Sequence, residues 1–224
     1  MASITDICNL ALAHLGDPAE VTSIDPPDGS VQASHCARFY PIARDEVLEM
    51  HPWHFAVKRA DLAEVDNAYE DDWSFAYALP SGCLRPLSCL LPGVPERFLS
   101  IDTDAGTHPY IVEAADDGTL VLYTNVETAT LRYIARITDS TKFTPGFVTC
   151  LARRLASYLA GPIVKGANGA KTAQEQMRIF AAEYAKAAAM NANVGRRTTY
   201  QTRRPDFLAA RGLGPWPPDA PVER

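Results

Sequence analysis

Apolar positions recur at helical spacing toward both ends of the chain and alternate with polar ones in its middle. Ser3 followed by Asp6 has the form of a capping box, and Ile4, Ile7, Cys8, Ala11 and Leu15 then repeat on one side until Gly16 and Asp17-Pro18. This predicts a helix over 3–15. A Pro/Asp/Gly-rich link, Asp25-Pro26-Pro27-Asp28-Gly29, leads to a second helical pattern from Ser30 to Met50, with Val31, Cys36, Phe39, Tyr40, Ala43, Val47 and Leu48 as its apolar side. Pro41 lies inside it. A mid-helix proline costs about 3 kcal/mol through a lost hydrogen bond and a ring clash, so a bend or division is expected there.

After His51-Pro52-Trp53 the period falls to two. Trp73, Phe75, Tyr77 and Leu79 share one predicted strand face, and Ser74, Ala76 and Ala78 the other. Strands are expected to dominate from 57 to 137. Tyr110 to Glu113 and Thr119 to Tyr123 flank Asp116-Asp117-Gly118, a hairpin signal because Asp-Gly readily adopts the positive φ of a tight turn. Thr130 to Ile137 reads as a further strand, with Leu131, Tyr133 and Ala135 opposite Arg132 and Arg136.

Helical spacing returns at Thr144-Pro145, an N-cap followed by proline at the first helical position, with Phe147, Val148, Leu151, Leu155, Tyr158 and Leu159 as the buried stripe. Gly161-Pro162 is expected to end or kink this helix. Ala170 to Asn193 reads as the longest helix, Ala173, Met177, Phe180, Ala181 and Tyr184 facing inward and Lys171, Glu175, Arg178, Glu183 and Lys186 outward. The expected fold is therefore α+β: a layer of about four helices from segments 1–56 and 141–194, an antiparallel β-rich insertion over 57–140, and an extended C-terminal arm over 195–224. Periodicity ends at Gly195, and the residues beyond it are compatible with either an arm or a disordered tail. Some 30 extended residues span about 100 Å, against a radius of gyration of about 16 Å for the body.

An apolar fraction of 47% over 224 residues is ample for a packed core. No run approaches the roughly 20 apolar residues of a membrane span, and the N-terminus lacks the succession of regions of a signal peptide. The expectation is a protein that is neither exported by that route nor embedded in a membrane. The five cysteines, at 8, 36, 83, 89 and 150, form no CxxC pair and read as reduced, mostly buried thiols. The formal charge is −6, but from Val194 onward six arginines face three carboxylates, a balance of +3 that leaves −9 for the rest. An acidic body argues against general nucleic-acid binding, and a basic tail suggests a partner of its own.

Candidate chemistry is sparse. His51 and His54 have HxxH spacing but no recognisable third ligand, so a helix-ending turn packed by Trp53 and Phe55 is the better reading. His35 and Cys36 are adjacent on a helix and point about 100° apart, which reads Cys36 as core. Asp71-Asp72 and Asp116-Asp117 fall in predicted turns, where Asp is favoured for local reasons. Phosphate-loop, dinucleotide, nucleophile-elbow and HExxH patterns are all missing, and Gly161 to Gly169 reads as a helix–helix connection because no strand precedes it. Neither an enzyme nor a bound cofactor is expected.

Several motifs occur together in order: Asn9-Leu10-Ala11-Leu12-Ala13-His14-Leu15-Gly16; Ala33, Cys36 and Tyr40; Ala43-Arg44-Asp45 with Val47-Leu48; His51-Pro52-Trp53 with Phe55-Ala56; Lys58-Arg59-Ala60 with Leu62-Ala63; and Trp73, Ala76-Tyr77, Leu79-Pro80 and Cys83-Leu84-Arg85. This series resembles the head-to-tail adaptors of short-tailed bacteriophages, the tail tubular protein A family. The likeness covers residues 4 to 85 and beyond them extends only to layout. It implies a virion protein of the head–tail junction, made in the host cytoplasm. Such adaptors form rings of twelve between the portal protein and the tail nozzle protein, and genomic DNA passes through without specific binding. It further implies that the arm docks on the portal, with Tyr200, Phe207 and Trp216 as apolar anchors and Arg196, Arg197, Arg203 and Arg204 as charged donors. Another neck or tail-completion protein is the alternative, ahead of an enzyme of unrecognised type.

Overall fold

The computed structural model describes residues 2–90, 107–115 and 118–194. These form an α+β fold in which four helices from the two ends of the chain carry eight antiparallel strands from its middle. The helices are α1 (Ile4–Ala13), α2 (Val31–Met50), α3 (Pro145–Val164) and α4 (Gly166–Ala192). The strands are β1 (Val57–Asp61), β2 (Ala63–Glu64), β3 (Phe75–Ala78), β4 (Cys83–Leu90), β5 (Thr107–His108), β6 (Tyr110–Ala114), β7 (Leu120–Thr124) and β8 (Thr130–Ala135).

The start of α1 follows from its first residues. Ser3 Oγ accepts from the Asp6 amide at 3.1 Å, while the Asp6 carboxylate accepts from the Ser3 amide at 2.8 Å. Two orphan donors of the helix terminus are thereby satisfied. The link to α2 is held by Asn9, whose side chain donates to Val21 O at 3.0 Å and accepts from Val21 N at 2.7 Å. Asp28 organises the rest, accepting from the amides of Ser30 at 2.9 Å and Thr22 at 2.8 Å.

Helix α2 runs unbroken through Pro41, so the division expected there does not occur. Ala33, Cys36 and Tyr40 before the proline and Ala43, Val47 and Leu48 after it are all buried. Burial of both halves against one core outweighs a single lost hydrogen bond. Val31, expected on the apolar side, is 66% exposed. At about 100° per residue it lies on the side of the helix away from Ala33, Cys36 and Tyr40.

The strands make two sheets, ordered β1-β8-β4-β5 and β2-β3-β7-β6. The expected hairpin is present: β6 and β7 pair from Tyr110↔Thr124 to Ala114↔Leu120, with Gly118 at φ +81° in the turn. Asp116 and Asp117 lie outside the described residues. Leu131, Tyr133 and Ala135 of β8 are buried as expected, and so is Ile134 between them, which gives β8 two covered faces. Trp73 departs from the alternation. It packs with Ala76, Val121 and Tyr123, whereas Phe75, Tyr77 and Leu79 join the main core. The strand begins at Phe75; Trp73 belongs to a turn in which its amide donates to Tyr69 O at 2.9 Å, so a count of two does not carry through it.

Helix α3 starts as read, with Thr144 Oγ1 accepting from the Phe147 amide at 3.4 Å and Pro145 at the first position. It continues past Gly161-Pro162 to Val164, and one residue, Lys165 at φ +60°, separates it from α4. The Lys165 amide closes that last turn on Gly161 O at 3.1 Å. In α4 the buried residues are Gly169, Gln176, Phe180 and Ala187, with Tyr184 half-buried. Met177 and Ala181, expected inside, are exposed. Alanines occur on every side of this helix and leave its phase weakly marked. On the buried side, beside Phe180, Gln176 donates to His14 O at 3.0 Å and accepts from Arg153 at 2.9 Å.

One buried cluster runs from Ile7, Cys36 and Leu48 through Trp53, Phe147 and Leu155 into Tyr77, Leu122, Leu131 and Ile134. The β-rich segment is thus inserted in sequence while sharing its core with the helices.

Candidate interaction surfaces

All seven residues expected to anchor an arm, Arg196, Arg197, Tyr200, Arg203, Arg204, Phe207 and Trp216, lie outside the described residues. What is described is the place from which that segment departs, the end of α4, and how firmly it is held.

The holding point is the junction after α2. The last four carbonyls of a helix have no partner within it. Here the Trp53 indole donates to Val47 O at 2.8 Å and the Tyr184 hydroxyl to Met50 O at 2.9 Å. Trp53 is buried, edge-on to His51, Phe147 and Tyr184. Asn191, near the end of α4, closes the junction from the other side. Its Oδ1 accepts from the His54 amide at 3.1 Å and lies 2.8 Å from His54 Nδ1. Its Nδ2 lies 3.0 Å from His51 Nε2 and 3.4 Å from Pro52 O. The two histidines of the HxxH spacing are therefore brought together by an asparagine. Burial, followed by the charge of Arg85, lowers the pKa of His51.

A second cluster joins α2 and α3. Arg154 of α3 grips Glu46 of α2 with two nitrogens, Nε donating at 2.8 Å, and the Tyr158 hydroxyl donates to the same carboxylate at 2.8 Å. Burial alone would raise the Glu46 carboxyl; the Arg154 and Tyr158 hydrogen bonds and the Arg154 charge together hold it below the usual range. Phe39 stacks on Tyr158 at 5.8 Å and His35 on Phe39 at 6.4 Å, and Arg154 lies over the Tyr158 ring at 4.6 Å. Elsewhere on α2, Val31 and Ile42 are exposed. Asp45 pairs with its neighbour Arg44 at 2.7 Å and, joining this helix to the residue that follows β8, with Arg136 at 2.8 Å.

The remaining candidates have local explanations. Cys36 is buried, and its influence on Cys8 of α1 together with burial pushes the Cys8 thiol up. Burial pushes Cys83 and Cys150 each up to about 11. All five cysteines are free thiols. Asp71 and Asp72 are exposed in a turn. Among the described residues, no group of three or more His, Cys, Asp or Glu side chains could hold a metal ion. No described helix is long and apolar enough to cross a membrane.

Asn191, Tyr184 as a donor, and the Glu46–Arg154–Tyr158 cluster were not singled out by pattern. Asn191 is an amide in an alanine-rich run, which is its only sequence signal. Glu46 and Arg154 are separated by more than a hundred residues, and no periodicity connects them. In comparisons with known proteins, no family model matches the chain and no curated protein matches it.

Proposed function

We propose that the chain is a structural protein of a short-tailed phage virion, an adaptor that joins the portal to the tail nozzle as one subunit of a ring. The observation that carries this reading is the ordered series of motifs from Asn9-Leu10-Ala11 to Cys83-Leu84-Arg85. In this fold the same residues have connected structural roles. Asn9 pins the first loop, Asp45 ties α2 to the residue that follows β8, and Trp53 caps α2 and fills the centre of the core.

An acidic body suits a conduit for DNA. Each copy carries a formal −6, and carboxylates facing a lumen repel phosphates wherever the ring is lined by them. A basic, aromatic segment after α4 suits a joint made at many equivalent sites, where modest single affinities combine into a durable attachment.

The test is the native mass of the protein alone and mixed with the portal protein of the same genome. A complex holding about twelve copies supports the adaptor reading, in which repeated sites supply the avidity. Removal of 196–224 is expected to leave the body folded and abolish that complex. No association with the portal would overturn the adaptor reading in favour of another neck or tail-completion protein.

A further inference from the structure

The Asn191 junction contains a constraint on protonation that arises from its geometry. A backbone amide can only donate, so the Asn191 atom 3.1 Å from His54 N is the carbonyl oxygen, and the orientation of the side-chain amide is settled. That oxygen is also 2.8 Å from His54 Nδ1, which must then carry a proton. The Asn191 NH₂ group is left facing Pro52 O and His51 Nε2. His51 can accept there only as the neutral imidazole with its proton on Nδ1.

The two histidines therefore differ. His54 keeps its bond whether neutral or charged, since Nδ1 donates in both states. His51 loses its bond on protonation, when Nε2–H meets an NH₂ donor. Rotation of the Asn191 amide gives no escape, because it would set that NH₂ group against the His54 amide and Nδ1–H. The titratable groups near His51 are Tyr184 from α4, with ring centroids 6.4 Å apart, and the cationic Arg85 from β4, whose charge opposes an imidazolium, while His54 shares the Asn191 amide with it.

We infer that His51, Asn191 and His54 form a proton-sensitive latch that fastens the end of α4 to the α2–β1 junction when His51 is neutral and loosens it when His51 is protonated. Asn191 lies four residues before Gly195, so the latch sets the point from which the C-terminal segment departs. The inference does not depend on what that segment binds.

The experiment is amide hydrogen exchange over residues 188–193 in the full chain, between about pH 7.5 and about pH 5, a range carried well below ordinary histidine titration because burial and the Arg85 charge lower the His51 value. Rates are expressed as protection factors so that intrinsic pH dependence cancels. In the wild type, protection is expected to fall several-fold on acidification. His51→Gln, whose carbonyl can accept in place of Nε2 without titrating, is expected to remove that fall, while His54→Asn, which keeps a donor at the Nδ1 position, retains it. Asn191→Asp places a carboxylate against His51 and is expected to reverse the sign, protection rising as His51 becomes charged. Flat protection in the wild type, an undiminished fall in His51→Gln, or an unchanged fall in Asn191→Asp would each overturn the latch. If His51→Gln does not fold, Asn191→Asp decides the matter.

Discussion

Arg154 of α3 holds Glu46 of α2 with two nitrogens, and the same carboxylate accepts from the Tyr158 hydroxyl. The Arg154 side chain is 13% exposed and that of Glu46 36%, so the pair is neither a solvated surface contact nor a fully buried one. Removing one partner leaves the other charge partly desolvated, a cost in the range of about 1–3 kcal/mol, with the exposure of Glu46 favouring the lower end. Glu46→Gln is expected to destabilise the protein by about 1–2 kcal/mol in urea unfolding at neutral pH. The Glu46 carboxyl is held below its ordinary value, so its contribution is present above the unfolded carboxylate pKa and lost as pH falls through the folded one. The difference between wild type and variant should accordingly shrink on strong acidification.

The α3–α4 hairpin offers a comparison between two glycines. A Cβ on Gly169 would sit 3.0 Å from Ala160 O, a backbone atom that cannot turn aside. A Cβ on Gly161 would meet nothing within 4 Å, and its φ is not positive. Gly161→Ala is expected to stabilise the helix by about 0.5–1 kcal/mol through propensity. Gly169→Ala gains the same propensity but must push α3 and α4 apart, with a net loss of about 1–2 kcal/mol. Thermal unfolding of the two variants should shift in opposite directions, and equal shifts would show that the helices do not approach so closely.

His14 gives the fold its own pH dependence. Its Nε2 is buried without a hydrogen-bond partner, and burial followed by the nearby Arg153 charge lowers its pKa from the ordinary histidine value. In the native state it resists protonation, while the unfolded chain takes up the proton readily. The unfolded state then binds more protons, so stability is full above the unfolded pKa and falls as pH drops through the folded one. The melting temperature should decrease between about pH 7.5 and about pH 5.5, and His14→Gln should flatten that slope. A slope unchanged by the substitution would assign the effect to other groups.

Local chemistry was legible wherever neighbours in sequence are neighbours in space. Ser3 with Asp6, Thr144 with Pro145, and Gly118 at the β6–β7 turn are contacts within a few residues, and each is found as read. The α+β class followed from the change of period between the ends and the middle. Departures arose where the local signal was uniform or where distant packing outweighed it. Alanines around α4 hid its phase, and burial on both sides of Pro41 carried α2 through the proline.

The order and type of the elements are written in the chain alone, because capping, turn geometry and hydrophobic period act over one or two turns of backbone. Folding in three dimensions chose which side of α4 is buried, brought Asn191 to His51 and His54, and set Glu46 against Arg154. These contacts join residues more than a hundred positions apart, and their partners are selected by how helices and sheets close around one shared core. No local preference of either residue encodes that choice.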